Sequence, residues 1–240
     1  MTYNMNSFQE DCRKLNIELN DYQLEQFQRY YELLIEWNSF INLTSITDYQ
    51  EVLKKHFLDS LSLVKVLEKK PVGKILDIGT GAGFPGIPIK IVFPNCFMTL
   101  VDSVNKKIGF IQEVVQELDL HNIEAIHGRV EDLGHDVFQR EQYDLVVSRA
   151  VASLPVLVEY CLPFVKVGGV FLSYKSVKVD EELSAGKKAI QILGGRLERD
   201  VRFQLPGTEI ERAFLFIKKE KPCPKKYPRK AGTPTRTPIR

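Results

Sequence analysis

The sequence of 240 residues predicts an α/β protein: a doubly wound, Rossmann-like, mostly parallel sheet closed by an antiparallel hairpin and preceded by a helical extension. Three observations carry this reading. From residue 74 onward, short apolar runs alternate with amphipathic ones, as in a parallel sheet covered on both faces. A glycine-rich turn sits between the first such run and the first helix that follows it. The last two extended runs flank Pro206-Gly207 instead of a helix.

The elements follow in order. Residues 7–70 read as helices, with Leu24, Phe27, Tyr31, Leu34 and Trp37 near helical spacing and Asn20-Asp21 as an N-cap. A further helical run covers 49–69 until Pro71-Val72-Gly73 breaks it. Strands are expected at 74–79, 96–102, 123–128, 143–149 and 170–175, the last opened by Gly168-Gly169. Helices are expected at 86–93, 105–119, 153–165 and 179–193. Strands at about 196–204 and 212–218 form the hairpin. Right-handed crossovers make the parallel part doubly wound. Three segments result: a helical extension (1–70), a sheet domain (71–218) and a basic, proline-rich tail (219–240) expected to be disordered.

Composition narrows the function classes. A hydrophobic fraction of 44% and a charged fraction of 27% suit a globular chain and exclude collagen-like or low-complexity proteins. No apolar run is long enough to span a bilayer, and MTYNMNSFQEDCRK lacks the apolar core of a signal peptide, so a cytoplasmic protein is expected. The four cysteines lie far apart and histidines are few, which argues against a metal site and for a reducing compartment. The net charge of +2 conceals an asymmetry: residues 218–240 carry nine Lys/Arg and one acid. An acidic body with a basic tail points to a polyanionic partner. Lys221, Lys225, Lys226, Arg229 and Lys230 are the tail candidates for a polyanion's phosphates, and Lys175 at the end of the fifth strand is either a further contact or a solvated lysine. Deleting residues 221–240 is expected to weaken binding of the polyanion and to leave affinity for any small ligand of the sheet domain unchanged, since the tail lies after the last strand.

The strongest local signal runs from Asp77 to Gly86. Gly81, Gly83 and Gly86 fit a dinucleotide fingerprint. Asp77, Gly79, Gly81 and Gly83 fit the D-x-G-x-G-x-G loop of S-adenosylmethionine-dependent methyltransferases. Asp102, at the tip of the second strand, suits ribose hydroxyls in either case. Asp77 favours the methyltransferase reading, because an amino-acid ammonium needs an acid where a pyrophosphate needs bare amides. Val130 and Glu131, after the third strand, are placed to read an adenine edge, although Glu131-Asp132 also suits a helix cap.

The acceptor is constrained by absences. Ser148-Arg149-Ala150-Val151 is not the Asn-Pro-Pro-aromatic sequence usual for exocyclic amino groups. Cys161 and Cys223 are poorly placed as nucleophiles for base C5 chemistry. A ring nitrogen that is already nucleophilic is among the remaining acceptors. Arg149 lies at the carboxyl end of the sheet, where ligands bind. His56, Asp59 and Ser60 share a helix face, either lining a substrate mouth or holding the extension to the sheet.

Over residues 7–218 the chain resembles the ribosomal small-subunit RNA methyltransferase G family, also called glucose-inhibited division protein B. The likeness rests on Leu33 to Asn38, Asn42-Leu43-Thr44, His56 to Leu61, Asp77 to Pro88, Asp102-Ser103 and Ser148-Arg149-Ala150. It implies a class I methyltransferase fold and methyl transfer from S-adenosyl-L-methionine to N7 of a guanosine in 16S ribosomal RNA, position 527 in standard rRNA numbering. The partner is that RNA or the small-subunit particle, with no membrane and no metal. Cofactor contacts implied are Gly79, Phe84, Val130, Glu131 and Arg149, beside Asp77, Gly81, Gly83, Asp102 and Ser103 from the motifs. Guanine N7 bears no hydrogen, so no general base is required, and Arg149 and His56 are the residues expected near the acceptor. A methyltransferase acting on another RNA or a protein is the alternative.

Overall fold

The computed structural model describes residues 4–67, 71, 73–149, 151–177 and 179–239. Residues 68 and 69 of the expected 49–69 run, and Ala150 of the Ser148-Arg149-Ala150 motif, lie outside these residues. Seven strands form one sheet in the order β3-β2-β1-β4-β5-β7-β6. They are β1 (Lys74–Ile78), β2 (Phe97–Asp102), β3 (Ile123–His127), β4 (Tyr143–Arg149), β5 (Val165–Lys175), β6 (Gly195–Gln204) and β7 (Glu211–Lys219). The first five pair in parallel, and β7 inserts antiparallel between β5 and β6. The fifth strand starts earlier than Gly168-Gly169 suggested. Those glycines sit within it at an irregularity in the β4–β5 register, where a Cβ on Gly169 would come within 2.9 Å of the Asp144 carbonyl oxygen.

The helices are α1 (Asn6–Lys14), α2 (Asp21–Asn38), α3 (Tyr49–Val52), α4 (Asp59–Leu61), α5 (Gly86–Val92), α6 (Asn105–Glu117), α7 (Val130–Leu133), α8 (Leu154–Cys161), α9 (Asp180–Ile192) and α10 (Thr233–Arg236). A wider π-helical stretch, Leu53–Leu58, joins α3 to α4. Asn20 caps α2 as its sequence implied: its side chain accepts from Gln23 N–H, and the Gln23 side chain accepts from Asn20 N–H.

Alternation along the strands sorts the core into two layers. Ile75, Leu145, Val147, Phe214 and Phe216 face α1 to α6. Leu76, Val146, Phe171, Leu215 and Ile217 face α8 and α9. The central strands β1, β2 and β4 thus bury both faces and read as runs of apolar residues, whereas the edge strands β3 and β6 stay largely exposed. The N-terminal helices belong to the first layer. Phe57 is fully buried there, with ring centroids 5.0 Å from Phe27, 5.2 Å from Tyr30 and 6.0 Å from Phe84. Gln26 Nε2 donates to the Leu118 carbonyl at 2.7 Å. Phe57→Ala is therefore expected to cost about 4 kcal/mol of unfolding free energy, measured by urea denaturation. A loss below about 1 kcal/mol would mean the extension contributes little to the shared core.

The tail departs from its expected disorder. Residues 219–239 lie against α8 and the loop at 134–141. The Arg140 guanidinium donates to the carbonyls of Gly134, Cys223, Pro224 and Tyr227 at 2.7–3.2 Å. Glu141 accepts from Cys223 N–H at 2.6 Å, and buried Glu159 accepts from Arg229 at 2.6 Å. Cys223, Tyr227 and Ile239 join the second core layer. Periodicity could not reveal this, because the anchors are backbone carbonyls gripped by side chains far away in sequence.

Candidate active site

The site is built on the carboxyl ends of the strands. Beyond β1 the chain turns through Gly79, Gly81 and Gly83 at φ +69°, +62° and +93°, a region that side chains with a Cβ rarely adopt. Asp77 fastens this loop: its Oδ2 accepts from Thr80 Oγ1 at 2.7 Å and from Gly86 N–H at 2.9 Å. The carboxylate is fully buried, and its Oδ1 has no hydrogen-bond partner among the described residues. Burial raises the Asp77 carboxyl to about 6 against the pull of those two bonds and of Arg149. A buried acceptor without a donor suits a ligand that brings one.

Asp102 ends β2. Its Oδ2 accepts from Gly81 N–H and its Oδ1 from Val104 N–H, both at 2.9 Å, so the carboxylate is oriented with lone pairs to spare for hydroxyls. In front of it lies a cleft of about 380 Å³ lined by Gly79, Asp102, Ser103, Val130, Glu131, Val151 and Tyr160, among others. Five of the residues expected to hold cofactor thus come together: Gly79, Asp102, Ser103, Val130 and Glu131. Asp77, Gly81, Gly83, Phe84 and Arg149 are not among the lining residues. Asp77, Gly81 and Gly83 shape the loop. Phe84 is buried in the aromatic cluster with Tyr30, Phe57 and His56. Glu131 stands in α7 and accepts from the Gly232 N–H of the tail at 3.1 Å.

Arg149 instead lines a second cavity of about 380 Å³, shared with Lys55, His56, Asp59, Tyr174, Lys175 and Arg212. It is fixed from several sides. Asp59 accepts from it at 2.9 Å, the Lys55 carbonyl accepts at 3.1 Å, and its guanidinium carbon lies 5.2 Å from the Phe84 ring centroid. Asp59 accepts from Arg212 on its other oxygen at 2.7 Å. Arg149 has no acceptor, so its 3.2 Å contact with His56 Nδ1 makes Nδ1 the bare nitrogen. The His56 proton then sits on Nε2 and is donated to Thr44 Oγ1 at 2.8 Å. Burial, with Arg149 next, pushes His56 down to about 3, so the ring is neutral. It stacks on Phe84 with centroids 4.5 Å apart. Ser60 turns inward, donating to the His56 carbonyl at 2.6 Å. Of the three residues on this helix face, His56 and Asp59 line the cavity, and Ser60 serves the backbone.

The cationic candidates divide. Lys175 donates to Glu182 at 2.7 Å and to the Ala152 carbonyl at 2.9 Å, tying β5 to α9. Arg229 is held by Glu159. Lys221, Lys225, Lys226 and Lys230 remain exposed. Arg212, Tyr174 and Tyr160 were not signalled by the sequence, because each sits in an ordinary strand or helix position and reaches its cavity only through the fold. All four cysteines are free and buried, and burial raises the Cys161 thiol, which makes it a poor nucleophile. No cluster of metal-ligating side chains occurs among the described residues, and none of their helices is long and apolar enough to cross a membrane.

A glycine loop after β1, an acid ending β2 and a cleft over the strand ends define a class I S-adenosylmethionine-dependent methyltransferase. The fold agrees with solved structures. An S-adenosylmethionine-dependent methyltransferase from Aquifex aeolicus superposes with a TM-score of 0.51 at 18% identity, covering 71% of this chain and 93% of that one. TYW2 of M. jannaschii in complex with AdoMet gives 0.54 at 13%, covering 73% and 79%. Sequence narrows the class. Residues 23–209 match the model of the rRNA small subunit methyltransferase G family, and the chain belongs to that family. It is 54% identical over 233 residues to the "Ribosomal RNA small subunit methyltransferase G" of Lachnoclostridium phytofermentans, covering 97% of this chain and 96% of the relative. The protein of the same name from Lactococcus lactis subsp. lactis is 49% identical, covering 95% of each.

Proposed function

We infer that this protein transfers a methyl group from S-adenosylmethionine to N7 of a guanosine in 16S ribosomal RNA, position 527 in standard rRNA numbering. The observation that carries the reading, beside family membership, is the pairing of two cavities across the end of β4. One is lined by Asp102 and Glu131, the other by Arg149 and neutral His56. The first suits an adenosine: Asp102 offers oriented lone pairs to ribose hydroxyls, and Val130 and Glu131 face the base. When bound, S-adenosylmethionine supplies an electrophilic methyl group on a sulfonium. The chain's own part is to position and to exclude water. Arg149 holds a fixed cation over Phe84 where acceptor and cofactor meet. His56 keeps both nitrogens engaged and takes no proton. Guanine N7 has an in-plane lone pair and no hydrogen, so orientation alone is needed, an effect worth about 7–11 kcal/mol in favourable cases. In duplex RNA that atom faces a deep, narrow groove, so the target is read as looped or flipped out.

The RNA reading extends to the tail's outer face, where Lys221, Lys225, Lys226 and Lys230 are exposed. The polyanion is taken to be 16S RNA within a small-subunit particle, which places the reaction in the bacterial cytoplasm. Replacing the four lysines by alanine is expected to flatten the salt dependence of RNA binding by about 0.7 per lost phosphate contact. An unchanged slope would remove the tail from the RNA surface. The function itself is tested by mass spectrometry of ribosomal RNA from a strain lacking the protein. Loss of one 7-methylguanosine from 16S RNA supports it, and an unaltered modification pattern refutes it.

A further inference from the structure

The folded tail touches the wall of the cofactor cleft. Gly232, in the left-handed conformation at φ +78°, presents its N–H to Glu131 at 3.1 Å. Thr235 Oγ1 lies 3.1 Å from the Tyr160 hydroxyl. Glu131 and Tyr160 both line the cleft, and Glu131 is buried. The two side chains thus share one wall of the cleft, and each is held by one group of the tail. The tail that reaches them is fastened by side chains that do not themselves line the cleft. Arg140 gathers its carbonyls, Glu159 holds Arg229, and His135 Nε2 meets the Pro228 carbonyl at 2.7 Å.

We propose that residues 223–239 are a buttress of the cofactor cleft, positioning Glu131 and Tyr160 for the adenosyl group through the Gly232 amide and the Thr235 hydroxyl. This rests on reading the Asp102 cleft as the adenosine site. The Glu131 carboxylate and the Tyr160 ring each have free rotation about their side-chain bonds. With the tail in place their orientations are fixed before the ligand arrives, and with it released that ordering falls on the binding step. The tail therefore has two faces: an inner one that shapes the cleft, and an outer one bearing the exposed lysines. The expectation that tail removal leaves cofactor affinity unchanged is reversed.

The test uses the full chain with Arg140→Ala, which frees the tail carbonyls, and Thr235→Val, an exposed change that severs only the Tyr160 contact. Calorimetry with S-adenosylhomocysteine is expected to give a dissociation constant raised about tenfold in Arg140→Ala and about threefold in Thr235→Val. 5′-Methylthioadenosine, which lacks the amino-acid part, should lose the same factors, because the buttress acts at the adenosyl end. The KM for S-adenosylmethionine should rise in step while kcat at saturating cofactor stays unchanged. Thr235→Ser should restore parental values. Dissociation constants and KM within twofold of the parent in both variants would overturn the buttress. If Arg140→Ala does not fold, Thr235→Val decides alone by the same criterion. An Asp102→Ala variant that still binds S-adenosylhomocysteine as the parent does would overturn the reading of the cleft itself.

Discussion

Asp77→Asn is expected to lose S-adenosylhomocysteine binding by about 100-fold while leaving the fold at least as stable as the parent above pH 7. The geometry separates the two effects. One carboxylate oxygen holds Thr80 and Gly86, and an asparagine carbonyl can accept from both. The other oxygen is buried without a donor, and on the proposed reading it is the seat for the ligand's ammonium, reached once the loop admits the ligand. Raising this carboxyl from its ordinary 3.8 to about 6 makes its ionised form cost about 3 kcal/mol in the empty protein. Between those two values the folded chain holds a proton that the unfolded chain has released. The parent's stability therefore falls as pH rises from about 4 to about 6, then levels off. Asparagine carries no charge, so that slope disappears. Urea melts at pH 4.5 and 7.5, with calorimetry at 7.5, check both halves. A variant that binds S-adenosylhomocysteine as tightly as the parent would show that Asp77 only folds the loop.

The second large effect concerns the absence of a proton-transfer step. Single-turnover methyl transfer is expected to be flat from about pH 6.5 to 8.5. His56 remains neutral throughout, since burial and Arg149 hold it near 3. Burial lifts Tyr174, on the same cavity, well above its ordinary value. Burial raises the Asp77 carboxyl to about 6, so saturating cofactor is used to keep its titration out of the transfer rate. His56→Asn should slow transfer by misplacing Arg149, without adding or removing a pH limb. Arg149→Ala should slow it by about 100-fold, the scale of a misplaced reacting group, because Asp59 and the Phe84 face then lose their shared partner. A rate that climbs tenfold per pH unit in the parent, and loses that climb in His56→Asn, would require a base and a different acceptor atom.

Residues 74–218 were legible because their chemistry is local. Apolar runs, Asp77, the glycines and the Pro206-Gly207 turn each signal their role within a few positions. Asn20 did the same through its cap. The cavity lined by Arg149 was half legible. His56 and Asp59 stood out by sharing a helix face, and Arg149 by ending the fourth strand. Arg212 did not, since its partner Asp59 lies 153 positions away. Phe84 was expected on the cofactor and packs instead behind the loop, because a spacing motif does not say which way an aromatic ring turns. The tail was misread for a deeper reason. Prolines and lysines look solvated in sequence, yet Arg140 and Glu141 satisfy tail backbone groups and Glu159 holds Arg229.

The most direct measurement incubates the purified protein with methyl-labelled S-adenosylmethionine and small ribosomal subunits from a strain that lacks it. One portion of the recovered 16S RNA is digested to nucleosides, and in an intact portion the modified position is mapped by chain scission at N7-alkylated guanosine. The account predicts one label per particle, recovered as 7-methylguanosine at position 527 and absent with Asp77→Asn. Label in another nucleoside, in ribosomal protein, or at a different guanosine would contradict it.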